Sequence, residues 1–163
     1  LEKNKYLSVE HKELLEDLKR NKKDFMDKLS KNVSYNEAIH SETAKRRGID
    51  NTPTDEHLGN MMTVAEMIFQ PLRDWVGGPI KINSFYRSPE LNKAIGGSTK
   101  SQHCKGQAID IDDVYGHASN AAMFDWIKAN LDYDQMIWEF GTDQNMNFRF
   151  ITHWISNLSP ANK

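Results

Sequence analysis

Within Ser101-Gln102-His103-Cys104-Lys105-Gly106-Gln107-Ala108-Ile109-Asp110, a histidine and an aspartate stand seven residues apart. A glycine turn and the start of an apolar strand separate them. A third metal-competent side chain, His153, follows on a later segment of strand-like pattern. Two imidazoles and one carboxylate make the donor set of a catalytic zinc, which takes three protein ligands and leaves its fourth position to water. Such a set leaves the ion a net positive charge, which lowers the pKa of a bound water toward about 7. A turn at Gly106 lets the chain bend sharply before residues 108–112 extend, and such a return can bring an imidazole and a carboxylate to one ion. Asp110 and Asp112 then share one strand face, with Ile109 and Ile111 on the other. The pair alone is more often structural than metal-binding, so the rest of the chain has to decide.

Arg87 closes the run Ile80-Lys81-Ile82-Asn83-Ser84-Phe85-Tyr86-Arg87, whose alternation reads as a strand. An arginine there offers a rigid fork of donors matched to a carboxylate or a developing oxyanion. A surface ion pair with Glu90 is the other reading. Cys104 is the single cysteine, so no internal disulfide can form. Beside His103 it reads either as a thiolate ligand or as filler, and filler is favoured because adjacent strand residues point to opposite faces. His11, His40, His57 and His117 have no ligand-like neighbours and read as surface residues. Asp112 and Asp113 lack the loop of oxygen donors that calcium needs, and they read as the end of the strand. Met61, Met62 and Met67 read as core filler. Trp75, Trp126, Trp138 and Trp154 read mostly as core aromatics rather than the lining of a groove.

The elements that must hold these residues follow from periodicity. Leu7, Leu14, Leu15, Leu18, Phe25, Met26 and Leu29 recur at helical spacing among many charges, which predicts one long amphipathic helix or linker over residues 1–32. Its cluster Lys19, Arg20, Lys22 and Lys23 reads as a solvated face because acidic residues interleave. A second helix is expected from Ser34, with Glu37 completing a capping box, to Gly48. A third is expected from Thr52-Pro53 to Gly77-Gly78-Pro79. After the strand ending at Arg87, Ser88-Pro89 opens a short helix that Gly96-Gly97 stops. Residues 108–114 read as a strand and 119–130 as a helix. Residues 135–140 and 148–156 read as a closing hairpin. Helices followed by a mostly antiparallel sheet make an α+β fold.

With 163 residues the chain fits one folded domain beyond the N-terminal helix, here placed at 33–163. A net charge of −2 gives no case for nucleic-acid binding. No apolar run is long enough to cross a bilayer, and the N-terminus shows no apolar signal core.

The motifs Ser-Phe-Tyr-Arg-Ser-Pro-Glu-Leu-Asn (84–92), Gly-Gly-Ser-x-x-Ser-Gln-His-x-x-Gly-x-Ala-x-Asp (96–110), Trp-Glu-Phe (138–140) and a strand histidine together resemble the D-alanyl-D-alanine carboxypeptidase family of zinc peptidases. The likeness is nearest to its bacteriophage-type cell-wall peptidases and endolysins, with vancomycin-resistance dipeptidases and the Hedgehog signalling domain more distant. It runs over about residues 33–157 and is densest from Arg87 to Asp110. It implies an α+β fold in which N-terminal helices pack on a small sheet carrying the zinc. It implies His103, Asp110 and His153 as zinc ligands, Arg87 on a substrate carboxylate or the scissile carbonyl, and Ser101 as support. Glu139 matches the family's acidic position and is the expected proton acceptor. It shares a hairpin face with His153 if Ile137 opposes His153 and Glu139 opposes Ile151. Around His153 the run Phe150-Ile151-Thr152-His153-Trp154-Ile155-Ser156 departs from the family's aromatic-Val-His-Val-Ser.

The expected activity is therefore zinc-dependent hydrolysis of a peptide bond in peptidoglycan stem peptides, of the D-Ala-D-Ala carboxypeptidase or L-Ala-D-Glu endopeptidase type. The expected setting is a phage lytic or virion-associated enzyme, held in the virion or the host cytoplasm before release. The N-terminal helix would join it to a larger phage protein. The alternative is a non-hydrolytic module that keeps the peptidase fold.

Overall fold

Ile109 and Ile111 alternate with Asp110 and Asp112 along one strand, and both isoleucines are fully buried. Removing each from water contributes about 1.5–3 kcal/mol, and the helices assemble over that apolar face. The computed structural model describes residues 27–140 and 146–151, with side chains to Ile137, and before them positions 9, 12, 13 and 16, which are helical and exposed. The rest of the predicted N-terminal helix, with its basic cluster and His11, lies outside the described residues.

Strand β1 (Lys28–Ser30) forms a small antiparallel hairpin with β2 (Val33–Ser34). The helical stripe therefore does not run through Leu29, which instead joins Val33 in the core. Gln70 holds the hairpin in place, accepting from Ser30 Oγ and Asn32 N at 2.9 Å each. Helix α1 (Tyr35–Ile39) starts at Ser34, whose Oγ accepts from Glu37 N at 3.1 Å. The single helix expected to Gly48 is two. Ser41 Oγ takes Ala44 N and starts α2 (Glu42–Arg47), because a serine hydroxyl competes for backbone donors and favours a new N-terminus.

Helix α3 (Asp55–Val64) is capped by Thr54 rather than Thr52, since Thr54 Oγ1 accepts from His57 N. It passes through a π-turn (Ala65–Phe69) into α4 (Gln70–Val76), which ends on Gly77. Pro71, which has no N–H to give the preceding turn, sits two residues past the last residue of the π-turn. Leu58, Met61, Val64, Ile68 and Leu72 make the buried stripe. Met61 and Met62 pack in or against the core, but Met67 is exposed.

The main sheet contains β3 (Lys81–Ser84), β4 (Ala108–Asp112), β5 (Gln135–Phe140) and β6 (Met146–Ile151), all antiparallel, in the order β3-β4-β6-β5. Helix α5 (Pro89–Ala94) follows β3 from its cap Ser88, and α6 (Asn120–Asn130) follows β4 from its cap Ser119. After the β1–β2 hairpin most helices precede a small antiparallel sheet, with α5 and α6 between its strands, and the fold is α+β. Trp75 departs from the expected core role: it is 45% exposed and stacks on Trp126 at 5.2 Å between ring centroids. Among the described residues no helix is long and apolar enough to cross a membrane.

Candidate metal centre

Asp110 sits in the middle of β4, with Ser84 of β3 as its partner on one side and Arg149 of β6 on the other. Central strands are the stiffest part of a sheet, so the carboxylate is held by a rigid backbone. His103 arrives from a short 3-10 turn (Gln102–Lys105). Ser101 Oγ accepts from His103 N at 3.3 Å to open that turn, and Gly106 closes it at φ 72°. Only glycine suits this position. Its conformation is left-handed, and a Cβ there would lie 2.4 Å from the His57 carbonyl oxygen on α3. The chain thus doubles back against α3 and feeds directly into β4.

Two further bonds fix the imidazole. Arg87 N donates to the His103 carbonyl at 3.2 Å, and the His103 ring approaches the Phe85 carbonyl through Nδ1 at 2.8 Å. A carbonyl oxygen only accepts, so Nδ1 carries a proton, and in the neutral ring Nε2 keeps its lone pair. That bare nitrogen lies 3.4 Å from Asp110 Oδ1, in a place where both residues are buried. It makes no hydrogen bond. A charge-assisted N–H···O bond would be about 2.7–2.9 Å long, so 3.4 Å is not that contact. Two zinc ligands at about 2.0–2.2 Å in tetrahedral geometry are separated by about 3.3–3.6 Å. The pair has the donor atoms, the tautomer and the spacing of two ligands to one cation. The Nδ1-to-carbonyl bond is the support that metal-binding histidines ordinarily have.

Arg87 stands beside this pair. Its Nη2 donates to Ser101 Oγ at 3.3 Å, so one hydroxyl steadies both the guanidinium and the turn carrying His103. Arg87 lies beyond the end of β3 rather than on the strand expected to reach it, and Asn51, which the sequence alone does not single out, holds that segment. Its Nδ2 donates to the Ile39 and Tyr86 carbonyls, and its Oδ1 accepts from Ser88 N at 2.6 Å. An asparagine in Asp50-Asn51-Thr52-Pro53 reads as a turn former, and nothing local marks it as a buried bracket.

Cys104 lies on the 3-10 turn rather than a strand, so the alternating-face argument does not apply to it. Burial pushes its thiol up, partly offset by the charge of Arg87, which keeps it neutral rather than a thiolate. His57 is not a bare surface residue: it is half-buried, and its Nδ1 meets the Tyr86 hydroxyl at 3.3 Å. His40 is exposed and pairs with Glu42 at 3.0 Å, and exposed His117 packs over Gly78. Asp112 and Asp113 are bracketed by Asn120, which ties the end of β4 to the start of α6.

The structure thus brings together His103, Asp110, Arg87 and Ser101. Among the described residues no cluster of three or more metal-ligating side chains forms, and His153 lies outside them. The hairpin register differs from the expected one. Glu139 opposes Asn147, and Ile151 opposes Gln135. The pairing runs from Gln135↔Ile151 to Phe140↔Met146. The slip is an even number of residues. Glu139 therefore remains in the same alternate set of positions as Asn147, Arg149 and Ile151.

A family model described as Peptidase M15 matches residues 31–143, more than half of the 163 residues. The chain belongs to the peptidase M15 family. The match contains Arg87, Ser101, His103, Asp110 and Glu139, and it ends before His153. No curated protein and no solved structure matches this chain. The His103–Asp110 pair lies within the matched range.

Proposed function

We propose that this M15 peptidase is zinc-dependent and hydrolyses a peptide bond in the stem peptides of bacterial peptidoglycan. The observation that carries the reading is the bare Nε2 of His103 facing Asp110 Oδ1 at 3.4 Å. Two electron-rich atoms buried face to face call for a cation between them. His103 and Asp110 would hold zinc, with His153 as the third ligand that the family resemblance implies. Zinc bound there supplies a Lewis acid for a water and a carbonyl oxygen.

The protein's own groups do the rest. Arg87, steadied by Ser101, receives a substrate carboxylate or the oxygen of the scissile carbonyl as charge develops on it. Glu139 is the proposed proton acceptor, passing its proton to the leaving amine. A phage lytic or virion-associated setting, with the N-terminal segment as the attachment to a larger protein, completes the proposal.

The test is muropeptide release from purified peptidoglycan by the wild-type chain, by the chain with chelator, and by His103→Ala. Release by the first alone supports the reading, and equal release in all three overturns it. A second reading is favoured by one observation: the family match stops at residue 143, short of His153. In it the chain is a non-hydrolytic wall-binding module that keeps the peptidase fold. Stoichiometric zinc with no turnover would select that reading.

A further inference from the structure

We infer that Asn51 is a positioning residue of the reaction: its side-chain amide clasps the backbone on both sides of Arg87, and so sets the anion clamp and, one bond further, the ligand imidazole. The inference deepens the peptidase reading and rests on it. Asn51 is buried. Its Nδ2 donates to the Tyr86 carbonyl at 3.1 Å and to the Ile39 carbonyl at 2.8 Å, and its Oδ1 accepts from Ser88 N at 2.6 Å. One planar group therefore holds the carbonyl before Arg87 and the N–H after it.

The residue type suits this task. A side-chain amide carries two donors and an acceptor in a fixed plane, and here both donors and the acceptor are used. Two carbonyls face Nδ2 and an N–H faces Oδ1, so an amide turned the other way would lose every bond. The turn that carries Asn51 is itself closed, because Asp50 Oδ1 accepts from Thr52 N at 3.0 Å.

The same segment is tied at further points. Arg87 N donates to the His103 carbonyl at 3.2 Å, and Tyr86 N donates to the Ala38 carbonyl at 3.1 Å. The Tyr86 hydroxyl meets His57 Nδ1 on α3 at 3.3 Å. The backbone of Arg87 is thus seated between Asn51 and the turn that bears His103. All three bonds of Asn51 go to main-chain atoms, so its influence on the guanidinium passes through the backbone. That influence is large enough to matter, since misplacing a group by about 1 Å can cost about a hundredfold in rate.

The test is a double-mutant cycle in the full-length protein supplied with zinc. The probe is a synthetic pentapeptide ending in D-Ala-D-Ala, read as kcat/KM where it is cleaved and as Kd where it is only bound. With Arg87 present, Asn51→Ala should lower kcat/KM or raise Kd by about tenfold or more. In an Arg87→Ala background the same change should cost less than about threefold. A residue that merely supports the fold costs the same in both backgrounds, and that result would overturn the inference. Zinc Kd, read by competition with a chromogenic chelator, should rise about threefold or more with Asn51→Ala in both backgrounds. The reason is that the Arg87 N–H reaching His103 belongs to the main chain. An unchanged zinc Kd would also overturn the inference. Asn51→Asp keeps the size and the acceptor for Ser88 N but loses both donors, and it repeats the comparison if the alanine variant does not fold. Failure of both variants to fold makes Asn51 a folding residue and sinks the proposal. Coupling in peptide binding without cleavage sinks the peptidase reading and leaves the clasp standing. Cleavage without coupling does the reverse, and a wild-type protein that neither binds nor cleaves the peptide sinks both.

Discussion

His103 donates a hydrogen bond from Nδ1 to the Phe85 carbonyl and turns Nε2 toward Asp110 Oδ1, 3.4 Å away. The residue after Phe85 but one is Arg87, whose N–H bonds back to the His103 carbonyl. The segment that follows β3 therefore sets both the orientation of the imidazole and the place of the guanidinium. A small movement of residues 85–87 would disturb ligand and anion clamp together.

Zinc should stabilise the wild-type fold. At a free concentration one hundred times Kd the gain is about 2.7 kcal/mol, or roughly 5–10 °C in Tm for a domain of this size. His103→Ala and Asp110→Ala should lose most of that gain. Differential scanning fluorimetry with and without zinc reads the shift, and a wild-type Tm indifferent to zinc would count against the metal centre.

Arg87→Lys retains the charge but not the planar fork, so kcat/KM should fall by about 10²–10³. Ser101→Ala removes the acceptor shared by Arg87 Nη2 and His103 N. It should cost roughly tenfold, in line with one hydrogen bond to a charged group. Steady-state kinetics on a stem peptide decide both. Full activity in Arg87→Lys would show that charge alone suffices.

Gly106→Ala meets two obstacles at once, a φ of 72° and a Cβ placed 2.4 Å from the His57 carbonyl oxygen. The conformational part alone costs about 1–3 kcal/mol, and α3 has to give way as well. Urea denaturation should show a loss of at least about 2 kcal/mol together with weakened zinc binding. A variant within about 0.5 kcal/mol of wild type would mean that the turn is not pressed against the helix.

Alkaline pH should destabilise the fold. Burial raises the Tyr35, Tyr86 and Cys104 side chains above their ordinary values. In the unfolded chain these groups ionise first, from about pH 8.5 for the thiol and about pH 10 for the phenols. Above those values the folded state holds more protons than the unfolded one, so stability falls as pH rises. Their contribution is complete at neutral pH. Tm measured from pH 7 to 10.5 should decline, and less steeply in Tyr86→Phe. A flat profile would contradict the burial of these groups.

Much of the architecture could be read before any coordinates. Alternation in Ala108-Ile109-Asp110-Ile111-Asp112 marked a strand with one apolar face, and Ser34, Ser88 and Ser119 marked helix starts. These signals are local: a hydroxyl reaches a backbone N–H three residues on, and side-chain periodicity records which face meets the core. The motif from Arg87 to Asp110 carried the family for the same reason, since its residue types are packed into one short stretch.

What local signals could not decide was anything set by competition between distant groups. Leu29 fits a helical stripe, yet its side chain gains more from the core, and Gln70 stands ready to pair the hairpin that places it there. Asn51 has no local mark and becomes a bracket only when Ile39, Tyr86 and Ser88 converge on it. The register of Glu139 is set by which residues of β5 and β6 pair, and its face by whether the slip is odd or even. The residue types of the centre were thus inherent in the chain. The 3.4 Å approach of His103 to Asp110 exists only because Gly106 folds the intervening turn against α3 and feeds the chain into β4.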